Sequence, residues 1–189
     1  MSSPKRWALI TGVSEGGLGD ALTQEFLARD INVIASSIDI SLLKYLQPIP
    51  GRLEHVQLDV TITESISAAV GQISRVTDGR LDFLVNNAGY GYMIPLTDAS
   101  ISEVKRNYDV NVFGLLAVTQ AFFPLLRSAR GLVVNQSSIA GLSAGCQPFI
   151  GSYSSSKAAV TALSNTMRIE FAPFGIKVYG QLLRLQHNG

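Results

Sequence analysis

The strongest constraint on the fold is a regular alternation of short apolar runs with longer segments of helical spacing. Apolar runs of this length are typical of buried strands, and they occupy residues 7–10, 31–35, 53–58, 81–85, 132–134 and 176–179. Helical spacing marks residues 18–29, 66–73, 102–127 and 152–171. Strands alternating with helices predict right-handed crossovers and a parallel sheet covered on both faces. We therefore expect an α/β fold, a doubly wound parallel sheet in a single domain over residues 1–189.

Composition narrows the function classes. Of the 189 residues, 47% are hydrophobic and 15% are charged, which indicates a folded domain with a sizeable core. The net charge of +1, without a basic block, argues against nucleic-acid binding. The only cysteine, Cys146, cannot form an internal disulfide and fits a reducing compartment. Nothing clusters around the two histidines, His55 and His187, so we expect no metal site.

Targeting signals are not expected. The first six residues lead directly into an apolar run, too short a stretch for a secretory signal. The longest apolar stretch, residues 110–126, is interrupted by Asn111, Thr119, Gln120 and Pro124. It is predicted to be too short and too polar for a transmembrane segment. We expect a soluble, cytoplasmic protein.

A glycine-rich turn lies between the first predicted strand and the first predicted helix. Residues 11–19 read Thr-Gly-Val-Ser-Glu-Gly-Gly-Leu-Gly. Glycines allow the backbone to turn sharply and to approach a pyrophosphate, and the helix N-terminus supplies amide donors. The alternative is an ordinary strand-to-helix turn, but the strand, turn and helix context favours nucleotide binding.

Tyr153 and Lys157 stand four residues apart in a predicted helix and therefore share one face of it. A phenol normally holds its proton until about pH 10. We expect the neighbouring ammonium to lower the pKa of Tyr153, so that it can exchange a proton near neutrality. Such a pair is more commonly a solvated surface pair. Because the chain also contains Ser138, Asn111 and the glycine turn, we favour a catalytic role for the pair.

With these motifs in this order, the chain resembles the short-chain dehydrogenase/reductase family up to about Val178. The longer turn, with Gly12, Gly17 and Gly19 matching the three family glycines, is similar to that of fungal acyl-dihydroxyacetone-phosphate reductases. The resemblance implies a Rossmann fold and a nicotinamide cofactor. It further implies that Asp59 and Val60 contact the adenine and that residues 86–89 lie beside its ribose and support the sheet. The implied cofactor-binding residues are Thr11, Gly12, Ser14, Gly17, Leu18, Gly19, Ser37, Asp59, Val60, Asn87, Ala88, Gly89, Tyr153 and Lys157.

The resemblance also implies the catalytic roles. Ser138 would hydrogen-bond the substrate oxygen, Tyr153 would exchange the proton, and Lys157 would bind the ribose and act on the pKa of Tyr153. Asn111 would distort a long helix and hold a water that connects Lys157 to solvent. The reaction implied is reduction of a ketone on a hydrophobic small molecule, a lipid precursor or a secondary metabolite, to an alcohol.

The end of the second strand bears on the choice between NAD and NADP. An acidic residue there binds the ribose 2′-hydroxyl, whereas a basic residue accommodates a 2′-phosphate. This chain has Ser36, Ser37 and Ile38 at that point, and Asp39 comes one or two residues late. Small hydroxyl residues tolerate a phosphate better than a carboxylate does. We therefore favour NADP(H), with NAD as the alternative.

The tail, residues 179–189, does not follow the family pattern. The resemblance implies a further strand and a helical lid over the substrate, so we expect this chain to lack the last strand and the substrate lid. A catalytically silent relative, which only binds cofactor or forms dimers, is the alternative function. The resemblance also implies a possible homodimer through the two long helices.

Overall fold

The computed structural model describes residues 5–183, except for the side chains of Ser143 and Leu183. Six strands form one parallel sheet in the order β3-β2-β1-β4-β5-β6. The expected doubly wound fold is confirmed, and its strand order reverses between β1 and β4. The strands are β1 (Trp7–Ile10), β2 (Asn32–Ser37), β3 (Leu53–Gln57), β4 (Phe83–Asn86), β5 (Leu132–Ser138) and β6 (Lys177–Leu183).

Helices connect these strands and cover both faces of the sheet. They are α1 (Leu18–Ala28), α2 (Thr63–Val76), α3 (Ile101–Tyr108), α4 (Leu115–Ala129) and α5 (Gly151–Phe171). Most bounds lie within two residues of the predicted ones. The exceptions are α2, which extends three residues beyond each predicted end, and β5 and β6, which end four residues later than predicted. Strand β2 extends two residues beyond Ala35 and takes in Ser36 and Ser37. The two serines therefore belong to the strand and not to the loop after it.

Alternate residues along the strands divide the core into two apolar clusters. Leu9, Ile34 and Leu84 pack in one cluster with the apolar faces of α2, α4 and α5. Their neighbours Ile10 and Val85 pack in the other cluster, which includes side chains of α1. Because side chains of a strand point alternately to its two faces, this division means that helices bury the sheet on both sides.

The long helix expected over residues 102–127 is interrupted by a π-helical segment, Asp109–Gly114, between α3 and α4. Asn111 lies in this segment, and its side-chain oxygen accepts a hydrogen bond from the Tyr90 amide at 2.7 Å. Its amide nitrogen donates to the Tyr90 carbonyl at 2.9 Å and to the Ser156 hydroxyl at 3.0 Å. A Cβ on Gly114 would lie 2.7 Å from a Val60 methyl carbon, so glycine permits this close packing.

The joined helix, Ile101–Ala129, is longer than the apolar stretch at 110–126 suggested. Its 29 residues and its mean hydropathy of 1.5 over the most apolar window reach what a membrane span needs by length and composition. Half of that window is buried inside the fold. Val118, Phe122 and Leu126 are part of the core. The helix therefore serves as a core helix of the sheet.

Strand β6 extends past Val178, where the resemblance was expected to end. It pairs with β5 over seven residues, from Leu132 opposite Lys177 to Ser138 opposite Leu183. Within residues 5–183 it forms one edge of the sheet, and β3 forms the other. The rest of the predicted divergent tail, residues 184–189 with His187, lies outside the described residues.

A buried chain of side-chain hydrogen bonds joins β4, β5 and α5. The Asn86 amide donates to the Asn135 oxygen at 2.8 Å and to the Thr119 hydroxyl at 2.9 Å. The Asn135 amide donates in turn to the Ser164 hydroxyl at 2.9 Å. All four residues are at most 3% exposed. Satisfied polar groups at this depth hold the three elements in one arrangement.

We expect Asn135→Ala to lower the free energy of unfolding by about 1–3 kcal/mol, because it removes the buried hydrogen bonds that Asn135 makes with Asn86 and Ser164. Urea unfolding measures this change. Asn165→Ala, an exposed asparagine on α5, is the control and should change stability by less than about 0.5 kcal/mol. Equal stability of the two variants would contradict a structural role for the chain of bonds.

Candidate active site

A cavity of about 600 Å³ opens at the carboxyl ends of the parallel strands, where open α/β sheets bind their ligands. It continues from the turn after β1 to the start of α5. The structure brings twelve of the predicted site residues together in its lining: Gly12, Ser14, Leu18, Ser37, Asp59, Val60, Asn87, Ala88, Gly89, Ser138, Tyr153 and Lys157. Residues from distant parts of the sequence therefore form one continuous site.

Four predicted residues, Thr11, Gly17, Gly19 and Asn111, do not line the cavity. Thr11 instead joins the turn after β1 to the loop after β4. Its hydroxyl accepts hydrogen bonds from the backbone amides of Asn87 and Ala88, each at 3.0 Å. The Asn87 side chain donates back to the carbonyls of Thr11 and Gly12, at 2.9 and 3.0 Å. These bonds shape the wall of the cavity from behind.

Two glycines of the turn after β1 lie so close to the loop after β4 that a side chain there would collide with it. Gly12 has φ +67°, and a Cβ there would lie 2.6 Å from the Ala88 Cα. A Cβ on Gly19 would lie 2.9 Å from the Asn87 side-chain nitrogen. Gly16, with φ +68°, also has a left-handed backbone conformation. It is not among the three glycines that match the family pattern. Gly12 and Gly19 thus let the turn pack directly against the loop after β4. Gly12, Ser14 and Leu18 line the cavity beside the N-terminus of α1, where backbone amides are suited to binding a pyrophosphate.

The end of β2 presents a hydroxyl and an apolar side chain to the cavity. Ser37 and Ile38 line it, and Asp39 does not. The Asp39 carboxylate accepts hydrogen bonds from the Ser41 amide at 2.8 Å and hydroxyl at 2.7 Å. These bonds lower the pKa of Asp39. The acidic residue of this region is therefore engaged in capping the 3₁₀ turn Ile40–Leu43.

Ser138, Tyr153 and Lys157 meet at the other end of the cavity. Ser138 ends β5, and its hydroxyl hydrogen-bonds with the Tyr153 side chain. The Lys157 ammonium lies 5.6 Å from the centre of the Tyr153 ring, as the shared helix face predicts. It donates a hydrogen bond to the Gln136 carbonyl at 2.8 Å. Lys157 is only 4% exposed, so the pair is not a solvated surface pair.

Burial controls the acidity of this group. It raises the pKa of Tyr153 above its ordinary value, although the hydrogen bond with Ser138 acts in the opposite direction. Burial also lowers the pKa of Lys157 to about 8. The expectation that the pKa of Tyr153 is lowered is therefore wrong for this structure. Removal of both side chains from water outweighs their proximity, and the Lys157 ammonium is bonded to a carbonyl oxygen.

Asn111 lies behind the catalytic end of the cavity. It contacts the Tyr90 backbone and Ser156, as described above. Gly89 lies close to both Asn111 and Lys157. A Cβ on Gly89 would be 3.5 Å from the Asn111 side-chain oxygen and 3.7 Å from the Lys157 ammonium nitrogen. A water bridge from Asn111 to Lys157 remains a prediction.

Sequence reasoning did not assign several other lining residues. Tyr90 and Gly91 follow directly after the predicted segment 87–89, and Gln136 and Ser137 directly precede Ser138, so adjacency was a usable signal. The same signal applied to Val13 inside the glycine turn, to Leu58 before Asp59 and to Val110 before Asn111. Arg106 had no neighbouring motif, because it reaches the cavity only through the packing of α3.

The lowered pKa of Lys157 predicts a pH-dependent stability. Lysine releases its proton at about pH 10.4 in an unfolded chain, so the unfolded state binds more protons than the folded state between about pH 8 and 10.4. The free energy of unfolding of the wild type, relative to Lys157→Met, should therefore rise across this window by up to about 3 kcal/mol. Urea unfolding at pH 7.5 and pH 10 tests this. A difference that is constant with pH would show that Lys157 titrates normally.

Comparison with known proteins agrees with this geometry. The family model for short chain dehydrogenases matches residues 6–182. A short-chain dehydrogenase of Penicillium crustosum is 45% identical over 92% of this chain and 63% of its own length. The NADPH-dependent 1-acyldihydroxyacetone phosphate reductase of Schizosaccharomyces pombe is 37% identical over 92% of this chain and 57% of its own length.

The fold is also similar to that of a solved short-chain dehydrogenase. A short-chain dehydrogenase from Streptomyces avermitilis superposes with a TM-score of 0.85 and 34% identity, covering 93% of this chain and 64% of that one. The chain spans about three fifths of the length of the curated relatives it matches. The fold, the cavity and these likenesses together place the chain in the short-chain dehydrogenase/reductase family.

Proposed function

We propose that this protein is an NADP(H)-dependent oxidoreductase that reduces a ketone on a hydrophobic small molecule to an alcohol. The observation that carries the proposal is the convergence of Ser138, Tyr153 and Lys157 in the cavity that also includes the glycine turn. A dinucleotide bound along this cavity would reach from the glycine turn to Ser138, Tyr153 and Lys157. Nucleotide-binding and proton-exchanging residues in a single cleft favour redox chemistry at a carbonyl.

NADPH, when bound, supplies the hydride for the carbonyl carbon. Tyr153 then donates its phenolic proton to the developing alkoxide, and the raised pKa keeps that proton in place until the oxygen becomes basic. The Ser138 hydroxyl stabilises the same oxygen. Lys157 binds the ribose and, while protonated, stabilises the phenolate that Tyr153 becomes. A protonated tyrosine in the resting site suits the direction of reduction.

The end of β2 supports the preference for NADP(H). Ser37 and Ile38 line the cavity where the ribose 2′ position would lie, whereas Asp39 does not line it and its carboxylate is bonded to Ser41. The relative from Schizosaccharomyces pombe is named as NADPH-dependent. The proposed cofactor contacts beyond these are those of the glycine turn, Asp59, Val60 and residues 87–89.

A hydrophobic substrate is supported by the two loops beside the catalytic end. Met93, Leu96 and Phe149 are 67%, 69% and 59% exposed. The loops are joined by a hydrogen bond from the Ile94 amide to the Phe149 carbonyl at 2.7 Å. Leu96 also packs against Gly151, at the start of the helix that carries Tyr153. Exposed apolar side chains therefore lie on the two loops next to the start of the helix that carries the proposed proton donor.

We further propose a cytoplasmic location and a homodimer formed through the two long helices. The sole described cysteine, Cys146, is free and exposed, which fits a reducing compartment. Phe113 at the start of the α4 region and Ile169 on α5 are 59% and 77% exposed. A second copy would remove such side chains from water.

We expect Tyr153→Phe to lower the rate of NADPH oxidation with a reactive ketone by about 100-fold or more, because it removes the proton donor. A panel of apolar ketones, followed at the NADPH absorbance, measures the rate. Tyr179→Phe, an exposed tyrosine on β6, is the control and should keep the wild-type rate. Binding of NADPH without turnover, unchanged by the substitution, would instead favour the catalytically silent relative.

We expect Ser37→Asp to reverse the cofactor preference, because its carboxylate would repel a 2′-phosphate and accept a bond from a 2′-hydroxyl. The ratio of the Kd values for NADP⁺ and NAD⁺ should change at least about 10-fold toward NAD⁺. Comparing two ligands on one variant cancels any general loss of stability. Ile38→Arg should change the ratio in the opposite direction. An unchanged ratio in both variants would contradict the proposed position of the 2′ group.

A further inference from the structure

Gln136 is a cavity-lining residue that the proposed reaction leaves unused. It lies two positions before Ser138 on β5, so the two side chains share one face of the strand. The flanking residues point to the opposite face, where Asn135 bonds Ser164 and the Ser137 hydroxyl bonds the Lys157 carbonyl. Gln136 thus faces the same side as the catalytic serine.

The side-chain oxygen of Gln136 has no hydrogen-bond partner among residues 5–183. The residue is only 7% exposed, and the oxygen itself is buried. The side-chain nitrogen donates to the Ser137 carbonyl at 3.2 Å, which fixes the orientation of the amide group. Gln181 lies in register on β6 but does not supply the missing donor. A buried acceptor without a donor is uncommon in folded proteins. Because Gln136 also lines the cavity, a group bound in the cavity is a candidate donor.

The position of Gln136 in the cavity identifies that group. The glycine turn at Gly12 is at one end, and Ser138 and Tyr153 are at the other. Hydride transfer requires the nicotinamide ring beside the carbonyl that Ser138 and Tyr153 would hold, so the ring would lie at the end where Gln136 is. The only polar substituent of that ring is its carboxamide, whose NH₂ is a hydrogen-bond donor.

We propose that the Gln136 side-chain oxygen accepts a hydrogen bond from the carboxamide NH₂ of the bound nicotinamide and thereby positions the ring. This inference rests on the proposed function, since it requires a nicotinamide cofactor in the cavity. Gln136 is a positioning residue: it exchanges no proton with the substrate. Its backbone carbonyl already holds the Lys157 ammonium at 2.8 Å, so the one residue contacts both the ring and the lysine.

The test compares three ligands by equilibrium titration of the full chain. NADP⁺ carries the carboxamide, its 3-acetylpyridine analogue replaces the NH₂ by a methyl group, and 2′,5′-ADP has no nicotinamide. Wild-type protein should bind NADP⁺ about 5- to 30-fold more tightly than the analogue, as expected for one buried hydrogen bond. Gln136→Leu should weaken NADP⁺ binding by the same factor and leave the analogue and 2′,5′-ADP unchanged. Gln24→Leu, an exposed glutamine on α1, should match the wild type throughout.

Gln136→Glu keeps the acceptor, so it should retain the preference for NADP⁺ over the analogue. If Gln136→Leu loses 2′,5′-ADP binding through misfolding, the wild type and Gln136→Glu carry the test alone. The inference is overturned if the wild type does not discriminate between NADP⁺ and the analogue, or if Gln136→Leu weakens both equally. Wild-type protein that binds none of the three ligands would overturn the proposed function itself.

Discussion

The site depends on one buried contact, the hydrogen bond from Asn86 to Asn135. It joins the two strands whose carboxyl ends form the centre of the cavity, and Asn135 extends the connection to Ser164 on α5. The loop after β4 carries Asn87 and Ala88, β5 ends at Ser138, and α5 carries the tyrosine and the lysine. A polar pair at this depth is stable only when every member is satisfied, which favours a single relative position of the three elements.

At the end of the cavity that holds Tyr153 and Lys157, burial and charge have opposite effects on the pKa values of these two side chains. Removing Tyr153 and Lys157 from water favours the neutral form of both groups. A dinucleotide brings phosphate charge and ribose hydroxyls into the cavity, which are suitable partners for a lysine ammonium now held by a backbone carbonyl. The resting arrangement is therefore that of a proton donor, and the proposed reduction uses it in that form.

The two ends of the cavity are built by different means. At the proposed nucleotide end, the wall is formed by closely packed backbone. Gly12 and Gly19 let the turn after β1 approach the loop after β4, and hydrogen bonds between Thr11 and Asn87 hold the turn and the loop together. At the catalytic end side chains are placed by rigid elements, on the last residue of β5 and the first turns of α5. The π-helical segment at Asn111 supports this end, because its side chain bonds both the Tyr90 backbone and α5.

The sequence by itself determined the fold and predicted most of the residues that line the cavity. Alternating apolar runs are enough to predict a parallel sheet, since both faces must be buried, and short motifs such as residues 11–19 and the Tyr153–Lys157 spacing carry their own local geometry. Only the tertiary structure decided the protonation preferences of Tyr153 and Lys157, the role of Asp39 as a cap, and the place of Arg106 in the cavity. These properties depend on burial and on neighbours from distant parts of the chain, and sequence spacing does not encode either one.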